Sequence, residues 1–507
     1  MEINHPEPPP QPSPASDGGS NKGRVASYFQ SSAALQQSSL ISTLSKHKLA
    51  VVLTIAILAR LVIFFAVPSV FRFEQTGAVH GSDAYDNYAQ NLLQTGIYGR
   101  FIGKPDAMIP PLYSYALAGV YATLGRSGLS VAAFNILLDC LSITFLFYTG
   151  KHLFKKHGEW VGALAGLFYA LYPYLIFQNL TLIDTAFFMT LLYAFILLMV
   201  LLRDRPKLDR GTWALVITAG VVLGLSMLTR SLLPLLAIFA AVWFLFRLSF
   251  LQTVIRLLPV AIVGFLVMVP WIVRNYAIYN TLVPTALNYG DNFYQGNSEY
   301  TIPFFRAGYD VQWVPAPPIK ATDSLSLEAS QQRFEYGMNY LRAHPEQIPD
   351  LIWTKFLVHW SIDIAPRKNP VNGQVPRLDY HGNAIQETNA QGDLQLGDLP
   401  PGDPVGEYSG SLFDQVGRPI HIVYWGGLLI LGIIGIGLTW RQWRDVSLLW
   451  FVQITMTVMY IIFHPSTRYR APTDPLLFLF SAYTLIWLWQ RFILKRSNQR
   501  LAPSVTE

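Results

Sequence analysis

Long apolar runs separated by short polar hinges dominate the sequence. They fall at about 49–67, 129–150, 159–176, 180–202, 212–229, 231–248, 255–273, 420–440, 446–463 and 474–492. Each is long enough to carry a helix across roughly 30 Å of hydrocarbon. A further stretch, 110–124 (PPLYSYALAGVYATL), is short and aromatic, and its apolar content alone does not decide whether it spans. Two longer polar stretches interrupt the pattern, residues 68–128 and 274–419. The pattern predicts an all-α polytopic membrane protein.

Charge settles the ambiguous stretch. If 110–124 does not span and the N-terminus is cytoplasmic, Lys151, Lys155, Lys156, Arg203, Arg205, Lys207, Arg210, Arg247, Arg256, Arg441, Arg444, Arg491, Lys495, Arg496 and Arg500 share the cytoplasmic face. If it did span, every later loop would flip outward, against the positive-inside rule. The expectation is therefore about ten transmembrane helices, with 110–124 re-entrant or interfacial. Residues 68–128 and 274–419 then lie outside the cytoplasm, the second just before the last three spans. Within it, "DLIWTKFLVHWSIDI" reads as a helix lying flat on the membrane.

Composition agrees. Charged residues make up 13% of the chain, against roughly 25% in soluble domains. The net charge of +6 orients loops and does not imply nucleic acid. Cys140 is the only cysteine, so the outer loops are held by packing. Residues 1–45 are rich in Pro, Ser, Gln and Gly and read as a disordered cytoplasmic tail. The expected divisions are that tail, a transmembrane module over 46–273 containing the first outer loop, the extracytoplasmic segment 274–419, the helices of 420–492, and a cytoplasmic tail at 493–507.

Ionisable residues at membrane depth are functional candidates, and here they share one layer. Asp184 is expected about one turn inside the outer end of its span. Arg230 closes another span, and Arg274 with Asn275 closes a third. The turn "HPSTRYRAPTD" adds His464, Arg468 and Arg470, and the first outer loop adds Asp83 and Asp86 in "VHGSDAYDNYAQNLLQTGIYG". Tyr85, Tyr88, Ala89, Leu92 and Leu93 have the spacing of an amphipathic helix on the bilayer, which turns both aspartates toward water or a cavity. Plainer explanations exist. Carboxylates after Ser82 suit a first helical turn, and single arginines snorkel to headgroups. Arg60 and Asp139 lie deeper, and mutual pairing for packing accounts for them. The histidines show no metal spacing.

Acids beside arginines at the outer water–lipid boundary suit an activated donor carried by the membrane. Arginines would hold its phosphate, and a carboxylate would take the acceptor hydroxyl's proton. A secondary transporter or flippase would show an inverted repeat and polar groups near the midplane, and neither is visible. A lipid-carrier polymerase or ligase of another family, relying on arginines alone, is a second alternative. A scaffold would leave the charged layer unexplained.

The order of "SDAYDNYAQNLLQTGIYG", "PPLYSYALAGVY", "LTRSLLP", "VPWIVRNYAIYNTLVPTALNYGDNFYQGNSEYT", "YLRAHPEQIPDLIWTKFLVHW" and "RYRAPTDPLLFLFSAY" resembles the GT-C membrane glycosyltransferases. Within them it is similar to the group of protein O-mannosyltransferases and the aminoarabinose transferase of lipid A, over roughly residues 49–490. The resemblance implies a GT-C fold, a polyprenyl-phosphate sugar donor, an extracytoplasmic site and inversion at the anomeric carbon. It makes Asp83 the base, with Asp86 as fallback, and matches Asp184 to an acidic position at a span end. Arg274, Arg468 and Arg470 match positions near the lipid phosphate. Asn288, Gly290, Asn292, Tyr294, Gly296 and Asn297 match a polar loop over the cavity. Relatives often carry a basic residue before the Pro-Pro pair. Here that position is Ile109, with Lys104 a few residues earlier. No cofactor is required, and the resemblance admits a divalent metal between Asp83 and the phosphate. The acceptor would be a lipid, glycan or protein. The setting implied is a bacterial inner membrane.

Overall fold

The computed structural model describes residues 47–67, 82–230, 233–368, 377–388, 394–396 and 413–494, without the side chains of residues 82–83, 233, 386–388, 394–396, 413–414 and 493–494. The expectations for residues 1–45 and for the C-terminal tail beyond 494 lie outside the described residues. The chain divides into Met1–Val51 and Val52–Glu507. Of the first unit only residues 47–51 are described, and the helical architecture is that of the second.

The described chain is almost entirely helical. In order come α1 (Lys48–Ala66), α2 (Ser82–Thr95), α3 (Leu112–Leu124), α4 (Gly128–Leu153), α5 (Gly158–Ala170), α6 (Pro173–Leu180), α7 (Thr185–Arg203), α8 (Arg210–Met227), α9 (Leu233–Leu245) and α10 (Phe250–Tyr279). Then follow α11 (Tyr289–Gly296), α12 (Thr301–Ala307), α13 (Leu327–Ala343), α14 (Ile348–His359), α15 (Arg418–Leu438), α16 (Trp443–Ile462), the short α17 (Thr467–Arg470) and α18 (Asp474–Leu488). One antiparallel pair, Gln386–Thr388 with Leu394–Leu396, departs from the all-α expectation.

Eight described helices are long and apolar enough to cross a membrane, and the bent pair α5–α6 makes a ninth if counted as one span. The apolar helix over Pro234–Leu245 is shorter. The ten expected runs thus appear as eight spans, one bent pair and one short helix. The bend of 63° between α5 and α6 was not expected within 159–176. It falls just before Pro173, which occupies the first turn of α6, lacks an N–H and keeps the preceding residue out of the helical region. A second break follows at Thr181, whose carbonyl accepts from Asn135 Nδ2 at 3.0 Å. Asp184 is therefore the N-terminal cap residue of α7, not a residue one turn inside a span.

Small residues let the helices close up. A Cβ on Gly224 of α8 would lie 2.5 Å from the Gly264 carbonyl oxygen of α10. Such backbone approach is how helices associate where lipid supplies no hydrophobic drive. α10 is longer than its predicted run of 255–273 and holds Arg274 and Asn275 inside its last turns.

The stretch 110–124 yields α3, only 13 residues long, with Tyr113, Leu117 and Tyr121 buried. It packs on α2. The apolar face of α2 is likewise turned into the protein. Tyr88 joins Tyr98 and Trp271, while Ala89 joins Tyr113 and Leu117. α2 was expected to rest on the bilayer; protein covers its apolar face instead, with Leu93 left exposed.

Candidate active site

α2 places Asp83 in its first turn and Asp86 one turn later. The Asp83 side chain lies outside the described residues. Asp86, expected to face water or a cavity, is buried and held by side chains. Its Oδ1 accepts from Tyr121 at 2.9 Å and from Arg126 Nε at 3.0 Å. Its Oδ2 accepts from Arg126 Nη2 and from Gln90, both at 2.7 Å. A carboxylate holding four donors is a joint between α2 and α3. Its partner, Arg126, lies 40 residues away in the sequence.

Next to this joint, three widely separated candidates meet. Asp184 forms a bidentate pair with Arg230, which follows α8, Oδ2 to Nε and Oδ1 to Nη2, both 2.7 Å. Arg468 of α17 approaches the same carboxylate at 3.9 Å, and its side chain retains 17% exposure. Tyr85, between Asp83 and Asp86 on α2, brings its hydroxyl within hydrogen-bonding reach of Asp184. Arg230 lies over the ring of Phe188 at 4.9 Å, and Tyr469 stacks on Tyr460 at 4.6 Å. The first outer loop, the cap of α7, the end of α8 and the turn before α18 therefore converge on one layer.

A fifth contributor comes from the outer segment. Asp310 accepts from the Gln312 N–H at 3.0 Å and faces Arg468. Burial pushes its carboxyl up, opposed by that hydrogen bond and by Arg468. Gln312 Nε2 reaches the Tyr469 hydroxyl at 3.4 Å. Arg126, Asp310 and Tyr469 were not singled out by sequence, and Tyr85 was read only as part of an apolar helix face.

The remaining candidates are placed elsewhere. Arg274 donates to the Asp106 carbonyl at 2.7 Å and the Tyr98 carbonyl at 2.6 Å, and lies 4.6 Å over Trp271. It holds the first outer loop onto α10. Lys104 forms an exposed pair with Asp323 at 2.7 Å. Arg470 is fully buried, pairs with Asp474 at 3.3 Å, and donates to the Ser361 carbonyl. Asn292 lies in α11, and the Tyr294 hydroxyl donates to the Pro315 carbonyl at 3.1 Å. Asn297 donates to the Phe293 and Ile462 carbonyls at 2.8 and 2.9 Å and accepts from Lys355 at 2.9 Å. These contacts bind the outer segment to the end of α16.

Among the described residues no group of three or more His, Cys, Asp or Glu side chains could hold a metal ion. The donor set agrees: Asp86 is taken by Arg126, and Asp184 by Arg230.

Residues 108–273, 166 of the 507, match the family described as dolichyl-phosphate-mannose-protein mannosyltransferase. Among solved structures, the oligosaccharyltransferase AglB of Archaeoglobus fulgidus, in complex with an inhibitory peptide and a dolichol-phosphate, matches 92% of this chain and 53% of its own. The TM-score is 0.50 at 12% identity. The chain has the GT-C fold. The apo oligosaccharyltransferase of the same organism gives the same TM-score, 0.50, with 13% identity, 91% of this chain and 53% of its own. The chain thus spans about half the length of those structures. ArnT from Cupriavidus metallidurans bound to undecaprenyl phosphate matches at a TM-score of 0.36 and 11% identity, over 88% of this chain and 81% of its own. No curated protein matches. With its apolar helices, the GT-C fold makes this an integral multi-pass membrane protein.

Proposed function

We propose that this chain is a membrane glycosyltransferase that moves a sugar from a polyprenyl-phosphate donor to an acceptor hydroxyl on the extracytoplasmic face of a bacterial inner membrane. The observation that carries the reading is the meeting of Asp184, Arg230 and Arg468 beside the helix turn that bears Asp83. The mannosyltransferase family match and the dolichol-phosphate held by AglB support the donor class.

The mechanism is a single displacement. Asp83 accepts the proton of the acceptor hydroxyl as that oxygen bonds to the anomeric carbon. The bond from the anomeric carbon to the phosphate oxygen breaks, and polyprenyl phosphate leaves with the electron pair. Attack from the face opposite the leaving group inverts the anomeric centre. Arg468 neutralises the charge that builds on the phosphate, where a preorganised donor counts most. The Asp184–Arg230 pair and Tyr85 set the position of Arg468. Arg274 holds the loop that presents Asp83.

The test is release of polyprenyl phosphate from a labelled donor by membranes carrying the native chain or Asp83→Asn, with cell extract supplying the acceptor. Turnover should fall by about 10²–10⁴-fold in a variant that elutes as native on size exclusion. Undiminished turnover removes Asp83 from the mechanism.

A further inference from the structure

The layer contains a buried imidazole that the displacement does not use. His421, in the first turn of α15, is 2% exposed, and among the described residues neither of its ring nitrogens has a hydrogen-bond partner. Burying a polar ring without partners is costly, and buried polar groups are ordinarily satisfied. Its surroundings are aromatic. Tyr172 stacks on it with centroids 5.7 Å apart at 15°, and Tyr174 meets it at 5.8 Å in a tilted arrangement. Tyr172 is fixed by its own bond to Asp474 at 2.9 Å. Tyr174 is half-buried, and Arg468 and Asp310 lie within electrostatic reach of its hydroxyl. His421 is thus joined to the reacting layer through one partly open aromatic ring.

Such a group suits a hydroxylated ligand. Neutral imidazole offers one donor and one acceptor, the pair that a sugar hydroxyl can satisfy at once, and tyrosine rings cover the apolar C–H face of a pyranose. The nearby carboxylates do not suit an ammonium group. Asp184 is held by Arg230, Asp474 by Arg470, and Asp363 by Arg418 through contacts of 2.6–3.0 Å. Asp310 faces Arg468.

Resting on the glycosyltransferase reading, we propose that His421 and Tyr174 read a hydroxyl of the transferred sugar, and that this sugar is neutral and not an amino sugar. His421 then sets which sugar is transferred. Tyr174 closes the same subsite from the side of Arg468.

The experiment uses the full chain in detergent with polyprenyl-phosphate mannose, glucose, galactose and 4-amino-4-deoxyarabinose, measuring kcat and KM for each donor and KM for the acceptor. The native chain should prefer a neutral sugar. His421→Phe, which keeps the ring stack, should lose about tenfold in kcat/KM for that sugar, through donor KM. It should also narrow the preference over the epimer differing at one hydroxyl. His421→Asn should recover part of the loss, and Tyr174→Phe should show a smaller change of the same kind in a variant that removes only one hydroxyl. Native donor KM and native preference in both Phe variants overturn the proposal, as does a rise confined to acceptor KM or a native preference for the amino sugar. No turnover of any donor by the native chain overturns the glycosyltransferase reading, and this proposal falls with it.

Discussion

Two arginine–aspartate pairs sit at membrane depth in this chain and serve opposite ends. Arg60 on α1 and Asp139 on α4 are 0% and 1% exposed, joined directly through Arg60 Nε. Asp139 also accepts from Tyr169 at 2.6 Å and Asn179 at 2.7 Å, and Arg60 donates to the Ala56 and Ala170 carbonyls at 3.2 and 3.1 Å. One charge meets one charge, and the knot is closed. In the outer layer Asp184 is gripped by Arg230, while the second guanidinium, Arg468, stands at 3.9 Å and keeps a partly exposed flank. Residue types do not separate the two cases, and depth along the apolar runs does so only in part. Geometry separates them fully: an ion pair sealed on all sides packs helices, and one with a second, partly exposed guanidinium beside it can receive an anion.

The sharpest way to break the comparison is to open the closed knot. Asp139→Leu leaves Arg60 buried without its counter-ion and should cost about 3–5 kcal/mol, read as a fall in the melting temperature of the solubilised chain. Adding Arg60→Leu should restore much of that loss, since an apolar replacement of both partners is nearly neutral. If the single variant melts as native, the knot does not hold the fold. A smaller loss is expected at the α2–α3 joint. Arg126→Leu leaves the buried Asp86 with Tyr121 and Gln90 only and should cost about 1–3 kcal/mol, also seen in melting.

Lys355 on α14 sharpens the picture of the outer segment. Its ammonium donates to Asn297 and to the Ile461 carbonyl at 2.9 Å each, and burial lowers it to about 7 from an ordinary 10.5. Between those values the unfolded chain holds a proton that the native chain has lost, so stability rises with pH across that window. The native melting temperature should climb from pH 7 toward pH 10, and Lys355→Met should flatten the climb. An equal slope in both chains would remove Lys355 as its source. The smallest effect belongs to Lys104, whose exposed pair with Asp323 is worth at most about 1 kcal/mol. Lys104→Ala should leave melting and turnover nearly native, and a large loss of turnover would return it to the phosphate site.

Much of this layer was legible because Asp184, Arg230 and Arg468 are ionisable residues at the ends of apolar runs, where a charge has few reasons to be. The helical architecture was legible for the same physical reason: the runs are long and the hinges basic. The break at 181–184 was not, since "NLTLIDTAFF" carries neither proline nor glycine to mark it. Arg126 was invisible as the partner of Asp86 because it lies 40 residues further on, in the turn between α3 and α4. Asp310 stood in a polar stretch where an acid is ordinary, and Tyr85 read as one more interfacial aromatic. Arg274 and Arg470 illustrate the converse. Both were reasonable phosphate ligands by position, yet carbonyls and aromatic rings already hold them, which only packing reveals.

On the proposed mechanism, the partly exposed Arg468 receives the donor phosphate. The most direct measurement is polyprenyl-phosphate release by Arg468→Gln against the native chain, with melting recorded on the same preparations. Turnover should fall by about 10²–10³-fold while the melting temperature stays close to native, because Arg230 keeps Asp184 paired. Native turnover in a folded Arg468→Gln chain would contradict the account.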